Sequence, residues 1–257
     1  MSDAPLLEVR GLTVDFDGFK ALEDVHLDAQ EGEVHFLIGP NGAGKTTLVD
    51  VITGLTKPTA GSARFAGEEL VGKREHEVVK LGIGRTFQTA TVFETLSVLD
   101  NLDLAASFRM SMLRLLRRRR GTSEAVRDAL AATGLEDVAD RPAGTLSHGQ
   151  KQWLEIGMLL VQEPRMLLFD EPVAGMSPDE RTRTGELIRR TAERCTVLVV
   201  EHDMEFLRRF ATRVTVLHEG KVLRHGATVA EVQADPVVQE VYIGRGRDGR
   251  SKEEVVA

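Results

Sequence analysis

Residues 34–52 read VHFLIGPNGAGKTTLVDVI, and this stretch decides the fold. Its apolar start, 34–38, predicts a buried strand, and 46–52 predicts the beginning of a helix. Between them, residues 39–46 match the pattern G-x-x-x-x-G-K-[ST] at every fixed position. A strand, a glycine-rich loop and a helix in this order form a phosphate cradle, because the glycines let backbone N–H groups face phosphate oxygens and the helix N-terminus is positive. The stretch therefore predicts a P-loop nucleotide-binding domain.

The loop and the first turn of its helix supply the candidate phosphate ligands. They are Gly39, Pro40, Asn41, Gly42, Ala43, Gly44, Lys45, Thr46 and Thr47. Lys45 places a point charge on the β- and γ-phosphates, and the Thr46 hydroxyl is a candidate Mg²⁺ ligand. The alternative, a glycine-rich turn with a chance lysine, is disfavoured by the flanking strand and helix. The motif alone does not choose among kinases, GTPases, helicases and transporters.

Outward from the loop, strand and helix patterns alternate along the chain. The runs 7–16, 165–169 and 196–200 predict strands, and residues 179–194 predict a helix. Buried strands that alternate with helices are typical of a mostly parallel α/β sheet. Helical spacing from about residue 95 to 163 is interpreted as an insertion into that sheet. We therefore predict an α/β fold.

The composition is that of an ordinary globular protein, with 42% apolar and 28% charged residues. The formal charge of −7 argues against broad electrostatic binding to nucleic acid. No apolar run approaches the roughly 18–20 residues that a membrane helix needs, and residues 1–7 lack a signal-peptide pattern. The single cysteine, Cys195, excludes an internal disulfide and is predicted to be a buried strand thiol. We expect a cytoplasmic chain whose membrane role, if any, comes through a partner.

Two adjacent carboxylates end the predicted strand around residues 165–169. Asp170 is placed to hold Mg²⁺ through water, and Glu171, one residue further, to polarise an attacking water. Unpaired buried carboxylates are unfavourable, so a purely structural role for this pair is disfavoured.

Three further signals lie where ligands bind in α/β folds or at a helix start. His202 follows the apolar strand 197–200, beyond the carboxyl end of which α/β folds bind ligands, and Gln88 lies between the core and the helical region. Taken alone, the histidine fits an ordinary surface residue, and the glutamine indicates no function. Residues 146–150 read LSHGQ and open a helix, for which Ser147 is a suitable N-cap. A serine and a glycine at a helix start form a second anion site, although the chain already has a complete cradle.

In this order, these motifs resemble those of the ABC ATPases over about residues 6–245. The resemblance implies the ABC ATPase fold, with a RecA-like parallel sheet core, an N-terminal antiparallel β region and an inserted helical subdomain. It implies a single domain with its core at 6–88 and 165–245 and the helical subdomain at about 89–164. We expect the charged, glycine-rich tail, 246–257, to be disordered.

The resemblance also assigns roles. It implies a head-to-tail dimer in which Ser147, Gly149 and Gln150 close on ATP held by the P-loop of the other subunit. Gln88 approaches Mg²⁺ and senses the membrane partner, and His202 contacts the γ-phosphate as a catalytic residue beside Glu171. An aromatic residue stacks on adenine, and spacing favours Phe16, with Phe19 as the alternative.

The sequence departs from the family pattern at two positions. Residues 146–150 correspond to the signature motif of this family. His148 stands where the consensus of that motif has glycine, and Ser177 stands where aspartate or asparagine is usual. The second departure puts the contact between subunits in question and leaves the chemistry intact.

A finer resemblance is to the ATP-binding subunits of branched-chain amino acid and urea importers. Residues 146–158, 171–176 and 214–220 are most similar to the urea type, so uptake of urea is expected, with branched-chain amino acids or another small amide as the alternative. The implied cofactors are ATP and Mg²⁺. The implied partners are transmembrane permease subunits, a second ABC ATPase subunit (a heterodimer expected, a homodimer possible) and a periplasmic or extracellular substrate-binding protein. The implied location is peripheral, on the cytoplasmic face of the inner membrane.

The sequence leaves alternatives for one basic segment and for the functional class. The arginine-rich residues 109–120 fit a solvated segment or a contact with anionic lipid or the membrane partner. Rival classes are an ABC ATPase that acts on DNA or ribosomes, an exporter motor and a P-loop kinase. Release of phosphate without an acceptor separates the kinase from the others.

Overall fold

A computed structural model describes residues 4–86, 90–108 and 123–241. The predictions for Gln88, for the arginine-rich residues 109–120 and for the tail at 246–257 lie outside these residues. Within them, every helix falls short of the length and hydrophobicity of a bilayer-spanning segment.

Ten strands and eight α-helices are assigned in the described residues. The strands are β1 (Leu7–Phe16), β2 (Phe19–Ala29), β3 (Val34–Ile38), β4 (Ala60–Phe65), β5 (Glu68–Glu69), β6 (Ile83–Arg85), β7 (Met166–Asp170), β8 (Thr196–Glu201), β9 (Arg213–His218) and β10 (Lys221–Ala227). The helices are α1 (Lys45–Ile52), α2 (Glu75–Leu81), α3 (Val98–Ser107), α4 (Glu124–Thr133), α5 (His148–Leu160), α6 (Pro178–Ala192), α7 (Met204–Phe210) and α8 (Val229–Ala234). This mixture confirms the α/β prediction.

The larger sheet has the order β10-β9-β3-β8-β7-β6, and only the edge pair β10–β9 is antiparallel. Its central strands are buried on both faces. On β8, Val197 and Val199 pack against the helices on one side, and Leu198 and Val200 pack on the other. Since side chains alternate along a strand, a continuous apolar run such as that of residues 197–200 indicates burial on both sides.

The smaller sheet is antiparallel, with the order β2-β1-β4-β5. It packs with α1 against one face of the larger sheet, where residues such as Leu37 and Leu48 form a shared core. This is the N-terminal antiparallel region that the family resemblance implies.

Helices α3, α4 and α5 share the core on the opposite face. Leu102, Val126 and Ile156 lie fully buried there, together with Phe36 of β3. Trp153 of α5 joins this region to α6, because its indole N–H donates to Thr184 Oγ1 at 2.9 Å. The boundary of a separate helical subdomain at residues 88 and 89 stays a prediction.

Sequence patterns did not identify β5, α2, β6, α7 and α8. Strand β6 has only three residues, Ile-Gly-Arg, which is too short to show a period of two. Its position depends instead on parallel pairing with β7, where Ile83 lies opposite Met166.

Candidate active site

The phosphate loop connects the buried end of β3 to the first residue of α1. Lys45 is 7% exposed, and its ammonium donates to the carbonyl oxygens of Gly39 at 2.7 Å and Pro40 at 3.1 Å. Burial lowers the pKa of Lys45, while the nearby carboxylates of Glu171 and Asp170 act in the opposite direction. The loop, the candidate base Glu171 and the candidate Mg²⁺ ligand Asp170 therefore share one electrostatic environment.

Neighbouring strands hold the loop in place. The N–H of Gly220, in the turn between β9 and β10, donates to Ala43 O at 3.0 Å, and Gly220 O accepts from Glu23 N at 2.8 Å. Gly44 has a φ of 100°, and a Cβ added there would lie 2.6 Å from Ala21 O. A side chain at this position would thus collide with backbone and demand an unfavourable conformation.

The start of α1 is suited to an anion. Several helices have a serine or threonine side chain that accepts from an amide of the first turn: Ser97, Ser123, Ser147, Ser177 and Thr228. Helix α1 instead has Gly44 at its N-cap, without a side-chain hydrogen bond and without an acidic residue in its first turn. Its N-terminal amides are therefore those best placed to receive phosphate oxygens.

Thr46 and Asp170 supply hydroxyl and carboxylate oxygens of the kind that Mg²⁺ prefers. Thr46 lies exposed on the first turn of α1, and Asp170 ends β7, two strands away from β3 in the sheet. Asp170 is buried, and its Oδ2 accepts from Arg85 Nη2 at 3.0 Å. No cluster of three His, Cys, Asp or Glu side chains that could hold a metal by itself occurs in the described residues. This donor set fits a Mg²⁺ ion that arrives on nucleotide phosphates.

Glu171 and His202 lie together, as their predicted roles require. His202 Nδ1 lies 3.6 Å from Glu171 Oε1, and the imidazole is 58% exposed. Glu171 has a φ of 51°. Its amide donates to Val200 O at 2.9 Å, which fixes the turn after β7 to the neighbouring strand. A strained, tied backbone of this kind holds a side chain in one orientation.

Glu201 is a functional candidate that sequence reasoning missed. Its buried carboxylate accepts from the amides of His202 at 3.0 Å, Asp203 at 3.4 Å and Val173 at 3.4 Å. Burial raises the pKa of Glu201, although these amides act in the opposite direction. The carboxylate thus joins the turn that carries His202 to the loop that follows Glu171. The available signal was an acid directly after the apolar run 197–200.

The signature residues form the N-terminus of α5. Ser147 Oγ accepts from Gln150 N at 3.2 Å, and Gln150 Oε1 accepts from Ser147 N at 3.0 Å, which is a capping box. Ser147 Oγ also donates to Glu180 Oε1 at 3.4 Å. A Cβ at Gly149 would lie 2.6 Å from the same oxygen, so this glycine makes room for Glu180.

Both departures from the family pattern lie at this surface. A Cβ at Gly175 would be 4.0 Å from His148 Nε2, which places the histidine beside the loop that follows Glu171. Ser177 caps α6 and donates through its hydroxyl to Glu180 Oε2 at 2.8 Å. One carboxylate therefore contacts both the signature and the start of α6.

Both candidate adenine platforms are exposed. Phe16 and Phe19 face each other across the turn between β1 and β2 and are 52% and 67% exposed. Exposed rings on a hairpin tip are available for stacking on a base. Gln88 lies outside the described residues, two positions beyond Thr86.

Comparison with known proteins identifies the family. The profile of the ABC transporter family matches residues 22–174. A high-affinity branched-chain amino acid transport ATP-binding protein, BraF of Pseudomonas aeruginosa, is 37% identical over 251 residues, which cover 93% of this chain and 98% of BraF. The chain belongs to the ABC transporter ATP-binding proteins.

Solved structures of ABC cassettes share the fold. The ADP conformation of MJ1267, an ATP-binding cassette of an ABC transporter, has a TM-score of 0.81 and 31% identity, with 94% of this chain and 99% of that one covered. A dimeric structure of the cassette MJ0796 bound to ADP and Pi has a TM-score of 0.71 and 28% identity, with 85% and 97% covered.

Membership settles the general activity. This ABC subunit binds adenine nucleotides and hydrolyses ATP in a reaction coupled to transport. ABC ATPase subunits dimerise and associate with the membrane through permease subunits. The kinase alternative is therefore excluded.

Proposed function

We propose that this chain is the ATP-hydrolysing motor of an importer for branched-chain amino acids. The observation that carries this proposal is the alignment with BraF along nearly the whole of both chains. Relatives named LivG, from bacteria and archaea, support the same cargo. Cargo would pass through permease subunits, delivered by a substrate-binding protein outside the membrane, with this chain on the cytoplasmic face.

Urea is the second candidate cargo. Its support is the resemblance of residues 146–158, 171–176 and 214–220 to urea-type subunits. The named relatives favour the branched-chain alternative over urea. The ATP site does not discriminate, because its residues bind nucleotide and not cargo.

The proposed nucleotide contacts follow from the geometry of the loop. The amides of residues 39–47 would surround the β- and γ-phosphates, and Lys45 would exchange its two carbonyl contacts for phosphate oxygens. Thr46, Asp170 and, by resemblance, Gln88 would hold Mg²⁺, which neutralises charge on the transferred phosphoryl group. Phe16 would stack on adenine.

Hydrolysis would proceed by attack of water on the γ-phosphorus. As the new P–O bond forms, the Glu171 carboxylate accepts a proton from the water and the bond to the β–γ bridging oxygen breaks, which yields ADP and inorganic phosphate. His202, 3.6 Å from Glu171, is placed to donate to a γ-phosphate oxygen. Catalysis would be mainly electrostatic, because Lys45 and the α1 N-terminus face the developing charge.

Each active site would be completed by a second ATPase subunit. Within this chain, the side chains of Ser147 and Gln150 each accept from the backbone amide of the other, and the Ser147 hydroxyl donates to Glu180. The capped start of α5 is instead presented outward, since Ser147 is exposed. This geometry supports a head-to-tail dimer, with a different ATPase chain as the expected partner.

A groove beside β6 is the proposed docking surface for a permease helix. Its volume is about 880 Å³, and it lies between α2, β6, α3 and α5. Three large apolar side chains on its rim, Phe93, Leu104 and Phe108, are 52%, 46% and 59% exposed. Exposed apolar clusters of this kind mark interaction sites. The groove also adjoins the chain segment that leads to Gln88.

Uptake measurements test the cargo. Cells that lack this chain are compared for uptake of labelled leucine and labelled urea, before and after complementation with wild type or Glu171→Gln. Loss of leucine uptake that only wild type restores supports the proposal. Loss of urea uptake alone overturns it in favour of urea, and unchanged uptake of both overturns each cargo.

A further inference from the structure

Arg85 forms a buried bridge between two carboxylates beside the nucleotide site. Its Nη1 donates to Asp50 Oδ1 at 2.5 Å and its Nη2 donates to Asp170 Oδ2 at 3.0 Å. The arginine side chain is 9% exposed and that of Asp170 is 5% exposed. A planar guanidinium with two arms engaged cannot rotate freely, so it fixes both acids.

The bridge joins the two elements that carry the proposed Mg²⁺ ligands. Asp50 lies four residues after Thr46 on α1, which places the two on the same side of the helix one turn apart. Asp170 ends β7. Arg85 therefore connects the helix that presents the Thr46 hydroxyl to the strand that presents the Asp170 carboxylate.

The guanidinium engages Oδ2 of Asp170. Oδ1 would therefore be available to Mg²⁺ or its water, and the contact at Oδ2 would hold the carboxylate in one orientation. Removal of a group that hydrogen-bonds to a metal ligand and orients it typically lowers metal affinity or activity by about 10–100-fold.

We infer that Arg85 is a positioning residue that sets the Mg²⁺ requirement of this ATPase by orienting Asp170 relative to Thr46. The inference rests on the proposed assignment of Asp170 to Mg²⁺. A purely structural ion pair would instead affect folding and nucleotide affinity whether or not magnesium is present.

Arg213 provides a matched control. It also bridges two carboxylates, with Nη1 3.5 Å from Asp28 Oδ2 and 3.3 Å from Glu33 Oε2. Its acids lie on β2 and in the turn before β3, outside the proposed Mg²⁺ ligands. Substitution of Arg213 therefore reports the general effect of losing such a bridge.

The experiment measures binding of a fluorescent ATP analogue to the purified chain as a function of Mg²⁺ concentration, and also in EDTA. Electron paramagnetic resonance of Mn²⁺ on the nucleotide complex reads the metal directly. For Arg85→Gln we expect a rise of about 10–100-fold in the half-saturating metal concentration and affinity in EDTA unchanged within about twofold. Arg85→Lys should show a smaller rise than Arg85→Gln but should not match wild type, because an ammonium lacks the planar pair of N–H arms with which the guanidinium engages two carboxylates. Arg213→Gln should leave the metal requirement unchanged.

Asp170→Asn tests the assignment of Asp170 to Mg²⁺ separately from the role of Arg85. If it leaves the metal requirement unchanged, the assignment of Asp170 is wrong. If it raises the requirement while Arg85→Gln does not, or if Arg85→Gln weakens binding equally in EDTA, the inference about Arg85 is wrong. Should Arg85→Gln fail to fold, Asp50→Asn replaces it, since it removes the charge of one partner in the bridge and leaves the Asp170 contact in place. An unchanged metal requirement in Asp50→Asn and in Arg85→Lys then overturns the inference.

Discussion

Replacement of Glu201 by alanine should weaken both the fold and catalysis, because three backbone amides share its carboxylate. The contact with His202 N is 3.0 Å, and those with Asp203 N and Val173 N are both 3.4 Å. An unpaired buried amide costs about 1–3 kcal/mol, so we assign about 2–3 kcal/mol to the short contact and about 1 kcal/mol to each long one. Removal of a buried charge offsets part of this sum. The expected net loss in the free energy of unfolding is about 2–4 kcal/mol.

Thermal unfolding and ATPase assays measure the two effects. A loss of this size corresponds to a fall in Tm of about 5–15 °C for a domain of this length. Because the turn that carries His202 and the loop after Glu171 lose their common anchor, we expect kcat to fall by about 10–100-fold, with ATP affinity little changed. Glu205→Ala is the control, since Glu205 is exposed on the next helix. Its effect should stay within about 0.5 kcal/mol. A Tm for Glu201→Ala within about 2 °C of wild type would show that these three hydrogen bonds do not stabilise the fold to this extent. A lower Tm with unchanged kcat would refute the role in positioning His202.

Four further outcomes are expected. Glu171→Gln should slow phosphate release by about 10²–10⁴-fold while gel filtration with ATP detects a persistent dimer; wild-type turnover would remove Glu171 as the base. Ser147→Ala should lower ATPase activity but leave nucleotide affinity of the monomer unchanged in equilibrium titration, and a strong loss of that affinity would contradict a role in trans. Gly44→Ala, with its Cβ 2.6 Å from Ala21 O, should reduce nucleotide binding in the same titration. For Glu201, burial raises the folded pKa above its ordinary value of 4.5, so the protonated form favours folding. The free energy of unfolding of wild type relative to Glu201→Gln should then decrease as pH rises from 4.5 through the folded pKa of Glu201. Denaturant unfolding at several pH values measures this difference. A difference that stays constant with pH would show that the pKa of Glu201 is not raised.

The phosphate loop could be predicted from sequence because its chemistry is contiguous. Residues 39–46 carry their own signal, and the flanking strand and helix appear in the same short stretch. Asp170, Glu171 and Ser147 were found for similar reasons, since each stands at the end of a strongly patterned strand or helix. The N-cap predicted at Ser147 is confirmed.

The residues that hold this machinery in place could not be found in that way. Arg85 meets Asp170 across 85 positions of sequence, and Ser147 meets Glu180 across 33. An isolated arginine or glutamate carries no local pattern that announces such a partner. The cargo could not be predicted for a different reason. The urea prediction used residues of the nucleotide-binding machinery, and the identity of these residues is not constrained by any contact with cargo.

The position of β3 has a consequence for synthesis of the chain. β3 pairs with β8 on one side and β9 on the other, and Gly220 closes the phosphate loop by its bond to Ala43. A nascent chain that has emerged only as far as β7 contains the whole nucleotide motif, yet β3 has neither neighbour. The ATP site is therefore completed only after Gly220, about a tenth of the described residues from their end, has left the ribosome. Truncated translation products that end before Gly220 should therefore bind nucleotide more weakly than the full chain.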